Sequence, residues 1–466
     1  MRENLGRGRE LIAPKLDLCD EKFKRFRDRD GKFAGSGEPN TTCRFCGSAT
    51  VVKSGFNPTK YGWKQRYWCR NCGSTFTPTT ELVKGNMFLQ GTDKDILQMK
   101  REGLGKFCKL VRGTIYPFLD FELPPQAKYN TNAFLDLLTH VAMTHDFTEN
   151  GSKTFKLARD EVPSADALFY HLSKLEWKEV ERRFTEVFER IFEIAGENDV
   201  FKRRRFDVAV DFHDWLYYGK EAPMVLGTQP KKGTHHAYKF ATISILERGF
   251  RFTLLALPVG KYSGMVGVME KLLRYAMRRV KINRVYCDRW FYRTEVIRVL
   301  KKLGLKFIIQ APVTRTSRVK TFLNDDVKGP VAIDYTVKRK NRPCASESVK
   351  LFAVRNERMK DEMACFVTNL DVSIENAGHL AEVFRKRWGI ETSYRVMQDF
   401  KPRTTSRRYV TRLFYFMFSV CLYNLWVLAN LIVGKIVLRF IPSQPFITAK
   451  VFGVILYATS LPFDPG

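Results

Sequence analysis

The sequence predicts an α/β protein built on a mixed sheet, with a small four-cysteine module and a helical region ahead of it. Three observations predict this. A strand–helix–strand pattern runs from Arg284 to Ala311, which makes its strands parallel and buried. Long β runs joined by a hairpin signal precede that pattern. Two Cys-x2-Cys pairs stand close together near the N-terminus. The 466 residues, 44% hydrophobic and 27% charged, exclude wholesale disorder, collagen-like and disulfide-scaffold classes. The formal charge of +30, from 79 Lys+Arg against 49 Asp+Glu, repels itself in a compact state. A polyanionic partner is therefore expected, nucleic acid first and an anionic membrane surface second.

Taken in order, residues 1–40 form a basic, weakly patterned tail, a solvated segment or an arm that touches phosphate. Residues 41–80 carry Cys43, Cys46, Cys69 and Cys72 as Cys-x2-Cys, 22 residues, Cys-x2-Cys, each pair followed by glycine. Two thiolates two residues apart can meet one ion only across a sharp turn, and four make a closed tetrahedral Zn²⁺ site. A structural zinc ribbon with short strands is expected, and Lys53, Lys60, Lys64, Arg66 and Arg70 make it a candidate nucleic-acid module. The other six cysteines are scattered, the usage of a reducing compartment, and the first residues lack the apolar core of a signal peptide. An intracellular, cytoplasmic (nucleoid-associated) protein is the expectation.

Residues 81–200 read as a helical DNA-binding or dimerisation region, with apolar residues at three- and four-residue spacing in Ala133–Met143 and Ser173–Ala195. The stretch VPSADALFYHLSKL between them could be the second helix of a helix-turn-helix. From Phe206 the pattern changes. Phe206–Phe212 is a short strand, Tyr238–Leu246 and Phe250–Val259 a hairpin, Gly264–Val280 a helix, Arg284–Asp288 a strand, Thr294–Leu303 a helix and Lys306–Ala311 a strand. Residues 313–375 read as a β-rich insertion, and Asn376–Phe400 as a long helix. Residues 201–312 and 376–466 together make the main domain. Leu413–Leu438 is long enough to cross a bilayer of roughly 30 Å. Asn424, Asn430 and Lys435 within it, with aromatic residues throughout, favour a buried helix over a membrane span.

Two carboxylates close buried-type strands, Asp211 in FDVAVD and Asp288 in RVYCD. Ligands collect at the carboxyl ends of strands in open α/β sheets. Two neighbouring carboxylates there repel each other unless a divalent ion lies between them, and oxygen-only ligation suits Mg²⁺ or Mn²⁺. In the helix after the insertion, a period of three to four places Phe384, Arg387, Glu391, Arg395 and Gln398 on one face. Glu391, flanked by Arg387 and Arg395, is the candidate third ligand, and both arginines can grip phosphate. Asp207 lies at the wrong end of its strand, Asp214 is the alternate to Asp211, and His213 reads as a satisfied polar residue. His235-His236, in a basic loop, are equally a phosphate contact or a solvated pair.

This arrangement resembles the ribonuclease-H-like DDE transposases of prokaryotic insertion sequences. One subgroup marks its glutamate helix Tyr-x2-Arg-x3-Glu-x6-Lys after a β-rich insertion; here the residues are Phe384, Arg387, Glu391 and Gln398, with Lys401 one turn on. The zinc ribbon and Leu422–Trp426 are similar to archaeal-type members. The resemblance implies a ribonuclease-H-like fold and an enzyme that cuts transposon ends and joins them to target DNA. Asp211, Asp288 and Glu391 would hold two Mg²⁺ (or Mn²⁺) ions, and Arg387, Arg395 and Lys401 would clamp DNA phosphates. It further implies terminal inverted repeats and target DNA as partners, and a homodimer on DNA. A DNA-binding protein on an inactive nuclease-like fold, or a structure-specific nuclease, is the alternative.

Overall fold

The computed structural model describes residues 50–59, 62–72, 74–76, 110–201, 205–247, 250–261, 263–313, 319, 329–339, 342–355, 363–385, 387, 394–433, 448–450 and 452. Two compact units divide the chain, Met1–Lys106 and Phe107–Gly466.

In the first unit, β1 (Val51–Thr59), β2 (Gly62–Cys69) and β3 (Thr75–Phe76) form an antiparallel sheet in that order. Val51 is opposite Cys69 and Tyr67 opposite Phe76. The buried cluster is Tyr67, Cys69 and Phe76, with Val51 packed on it.

The second unit opens with helices. Asn130 starts α1 (Thr131–Thr144) by accepting from the Ala133 N–H at 2.9 Å, and Ser164 does the same for α3 (Ala165–Lys174), accepting from Ala167 at 3.1 Å. Between them lies α2 (Thr148–Lys156). In α4 (Trp177–Glu197), Val180, Phe184, Val187, Phe188 and Ile191 recur at helical spacing and are buried.

The sheet follows. Its strands are β4 (Arg205–Tyr217), β5 (Val225–Lys231), β6 (Thr234–Glu247), β7 (Phe250–Val259), β8 (Lys281–Cys287), β9 (Phe307–Ala311), β10 (Val331–Arg339), β11 (Arg342–Arg355) and β12 (Met363–Thr368). The order is β10-β11-β12-β9-β8-β4-β6-β5, with β7 paired to β6. Only β4–β8 and β8–β9 are parallel; the other pairs are antiparallel. The helices α5 (Met265–Met277) and α6 (Thr294–Lys302) supply the crossovers around β8. The fold is thus the expected mixed α/β sheet with helices. The strands expected as an insertion add to this same sheet through β12, which pairs with β9.

Two expectations are corrected. The strand carrying Asp211 does not close there but runs on to Tyr217, because β6 supplies a partner for every residue from Asp207 to Tyr217. The helix expected over Asn376–Phe400 is described as α7 (Ile374–Arg385), and the stretch closes on a 3-10 turn at Gln398–Phe400.

The apolar stretch after it forms α8 (Tyr409–Val433), buried along its length. Its Phe414 packs on Phe121 and Phe184, and its Phe416 stacks on Phe240 at 4.0 Å between ring centres. The Tyr415 and Thr148 hydroxyls are 2.5 Å apart, which ties α8 to α2. Asn424 has a more specific role. Between β6 and β7 the register slips, with Ile243 opposite Leu255 but Ser244 opposite Thr253. The Asn424 amide accepts from the Thr253 N–H at 3.0 Å and donates to the Thr253 carbonyl at 2.6 Å, satisfying the backbone of β7 beside the bulge. A polar residue in an apolar helix is here a sheet-matching device.

Candidate active site

The site begins with strand register. β4 and β8 are parallel neighbours, with Val210 opposite Cys287. The next residue on each is an aspartate, Asp211 and Asp288, so the pair stands side by side where β8 ends. Asp211 is buried, 8% exposed. Its Oδ1 accepts from the Phe212 N–H at 2.9 Å. Asp288 caps a 3-10 turn, accepting from the Trp290 N–H at 2.9 Å. Burial pushes the Asp288 carboxyl above its ordinary pKa, with the Arg387 guanidinium the largest opposing influence.

Arg387 reaches the pair from the segment after α7. Its Nη1 stands 4.0 Å from Asp211 Oδ2, and it is 5% exposed. The Cys287 thiol, raised well above its usual value first by burial and then by Asp288, also feels Arg387 and Asp211. Asp211, Asp288 and Arg387 thus all act on the Cys287 thiol. Tyr394 completes the wall. Its hydroxyl is 2.5 Å from Thr242 Oγ1, and Thr242 lies opposite Asp211 across β4 and β6. Burial, and then the Asp211 carboxylate, hold the Tyr394 phenol well above its ordinary pKa.

Glu391, Cys43 and Cys46 lie outside the described residues. Among the described residues, no group of three or more His, Cys, Asp or Glu side chains is placed to hold a metal. Two carboxylates on adjacent strands, one of them desolvated, suit a hard divalent cation that would relieve their repulsion. In the first unit, Cys69 ends β2 buried, and Cys72 lies in the turn that leads into β3. The Cys69 N–H donates to the Ser74 carbonyl at 2.9 Å, the kind of tight return that a cysteine knuckle requires.

The candidate phosphate residues separate. Arg395 is exposed, whereas Arg387 is buried against Asp211. Lys401 Nζ sits 4.3 Å over the Trp215 ring, and burial followed by Arg412 brings its pKa down to about 8. His145 Nδ1 donates to the Lys401 carbonyl at 2.8 Å.

The neighbouring residues sort by face. Asp207 is buried and accepts from Asn283 Nδ2 at 2.7 Å and Tyr286 Oη at 2.9 Å, a structural role at the start of β4. Asp214 faces the opposite side from Asp211, pairing with Lys239 Nζ at 3.1 Å and accepting from Thr228 Oγ1 at 2.5 Å. His213, expected to be satisfied, stacks between Tyr394 and Phe416, and its Nε2 has no hydrogen-bond partner among the described residues. Burial, then Lys401, with Lys231 contributing, takes its pKa down to about 3, so the ring is neutral. Tyr394 and Trp290 were not singled out by sequence. Trp290 is 48% exposed beside Asp288, with Lys239 Nζ 5.4 Å and the Arg293 guanidinium 5.8 Å from its ring. An exposed aromatic two residues after a strand-end aspartate was the available signal.

Comparison with known proteins adds to this geometry. Residues 260–425 match the transposase DDE domain family. The DDE-domain match takes in Asp288, Arg387 and Glu391 and begins after Asp211. The fold is also similar to a cryo-EM structure of the piggyBac transposase synaptic complex with hairpin DNA. That likeness has TM-score 0.51 and 11% identity, and covers 78% of this chain and 80% of that one. No curated protein matches the sequence. A transposase DDE domain on a transposase-like, ribonuclease-H-like fold supports DNA transposase function for this chain.

Proposed function

We propose that this chain cuts DNA at transposon ends and joins the freed 3′ ends to target DNA, with Asp211, Asp288 and Glu391 as its catalytic carboxylates. The observation that carries the reading is the side-by-side placement of Asp211 and Asp288 on parallel strands, with Arg387 against them. Mg²⁺ (or Mn²⁺) would be held by these carboxylates. When bound, the metal supplies Lewis-acid activation of the attacking oxygen and stabilises the departing 3′ oxygen. The chain's own residues do the positioning. Arg387, with Nη1 4.0 Å from Asp211 Oδ2, offsets the carboxylate charge that remains. Tyr394 and Thr242 wall the Asp211 side and limit water, which strengthens every charge interaction there. Trp290, flanked by Lys239 and Arg293, offers an aromatic face beside the scissile position.

Further parts of the reading rest on the sequence. The chain belongs with the prokaryotic insertion-sequence transposases, Cys43, Cys46, Cys69 and Cys72 bind a structural Zn²⁺, and the working form is a homodimer on DNA. Arg395 is the best-placed phosphate clamp, being exposed. Arg387 serves the carboxylates, and Lys401 serves the packing of Trp215.

The test is a strand-transfer assay with labelled element ends, supercoiled plasmid and Mg²⁺. Joined product is expected from the wild type. Asp211→Asn, Asp288→Asn and Glu391→Gln should each lower cutting by about 10²-fold or more, the several kcal/mol that a metal's charge supplies, while end binding persists. Cut but unjoined DNA would make the protein a nuclease. Full activity in Asp288→Asn would remove the site.

A further inference from the structure

Beyond the two aspartates, β5 and β6 run on as a hairpin whose construction is unusual. Lys231 pairs with Thr234, so the connecting loop is two residues, Lys232 and Gly233. Both have positive φ, 48° and 81°. That is the backbone of a type I′ turn, which matches strand twist and normally takes Asn-Gly or Asp-Gly. Glycine answers the demand at the second position. A lysine at the first is strained, and such strain persists where the surroundings hold it and where it has a use. The surroundings here do hold it. Tyr218 Oη donates to the Lys232 carbonyl at 3.2 Å, and Thr234 Oγ1 donates to the Tyr217 carbonyl at 2.6 Å.

The tip is basic and open. Lys220, Lys231, Lys232 and His235 are exposed, with Glu221 the one acid among residues 218–236. It belongs to the rail that carries the site. Asp211 lies opposite Thr242 on β6, and Thr234 is eight residues further toward the tip. At about 3.3 Å per residue that is at most roughly 26 Å.

We infer that the β5–β6 hairpin is a rigid DNA-backbone contact, with Lys231 and Lys232 neutralising phosphates of the duplex no more than about eight base pairs from the bond that is cut, at 3.4 Å per base pair. This rests on DNA being the substrate of the Asp211–Asp288 site. The strained lysine then has a reason. Asparagine or aspartate would make the same turn more comfortably but would bring no positive charge to the phosphates.

That substitution supplies the test. Lys232→Asn keeps the turn and removes the charge, so it separates a structural role from an electrostatic one. Full-length protein would be titrated with a fluorescently labelled duplex of arbitrary sequence across a salt series, as wild type, Lys232→Asn, Lys231→Gln, and Lys302→Gln as a control at another exposed lysine. Each hairpin variant should bind about eight-fold more weakly near 0.1 M salt and lose about 0.9 from the slope of log affinity against log salt. Lys232→Asn should melt no lower than wild type, and Lys302→Gln should bind as wild type. A wild-type slope in Lys232→Asn overturns the inference, as does an equal loss in Lys302→Gln. Asp211→Asn, run alongside, keeps the two readings apart. If the slope depends on the hairpin but the wild type cuts nothing, the active-site reading fails and the hairpin contact stands. If the wild type cuts and the hairpin variants bind normally, only the hairpin fails. A wild type that binds no duplex overturns both.

Discussion

At the residue scale, Lys401 shows how burial redirects a charge. Its ammonium lies over Trp215 and beside Arg412, and its pKa is lowered to about 8. A lysine lowered in this way binds its proton less tightly in the native state than in the unfolded chain. Its penalty on stability is therefore complete below the native value and disappears as pH rises toward the unfolded value of about 10.4. Lys401→Met should raise stability by about 2 kcal/mol at neutral pH, and the advantage should vanish in alkaline buffer. Denaturant melts of both proteins across that range check the sign. Strand cleavage by the variant checks whether the lysine also grips phosphate. Sequence placed Lys401 as a cation one turn past Gln398. It could not show the neighbours, because Trp215 and Arg412 come from distant parts of the chain. His213 was misjudged for the same reason, its burial coming from Phe416 and Tyr394. Asp211 and Asp288 were legible because a carboxylate within an apolar strand is anomalous in one dimension already.

At the scale of elements, α8 and its asparagine make the sharpest prediction. Asn424→Ala leaves both the N–H and the carbonyl of Thr253 unmet in a buried bulge. A loss of about 2–5 kcal/mol is expected, two desolvated backbone groups at 1–3 each. Asn424→Asp, which sets a buried carboxylate oxygen against the Thr253 carbonyl, should recover none of it. Thermal unfolding of the three proteins decides. The apolar run of α8 was readable as a helix, and its asparagines argued for burial inside protein. The bulge they serve was not readable, since it exists only once β6 and β7 are in register. Residues 313–375 were readable as strands, but their joining the main sheet through β12 was not. Whether a strand joins an existing sheet depends on a free edge, here that of β9, which no local pattern reveals.

For the whole molecule, the charge of +30 and the two compact units make separate predictions. A Zn²⁺ held by the four cysteines would make the first unit metal-dependent, so a zinc chelator should unfold that unit while Phe107–Gly466 keeps its own melting transition. Calorimetry with and without chelator would show one transition lost and one retained. A single shared transition would remove the separate role of the metal. The helices before β4 and the strands from β4 onward were legible as changes in sequence periodicity. The packing of α4 against α8 was not, because residues 177–197 and 409–433 stand far apart in the sequence.

That same packing sets the order in which the protein can come into being. The helices before β4 and the bulge in β7 both wait for α8, whose residues leave the ribosome after every strand of the sheet. A nascent chain that has emitted both aspartates still exposes the surfaces that α8 will cover. Neither surface gains its cover until synthesis has reached α8. A chain cut short before Tyr409 would leave both of those surfaces bare.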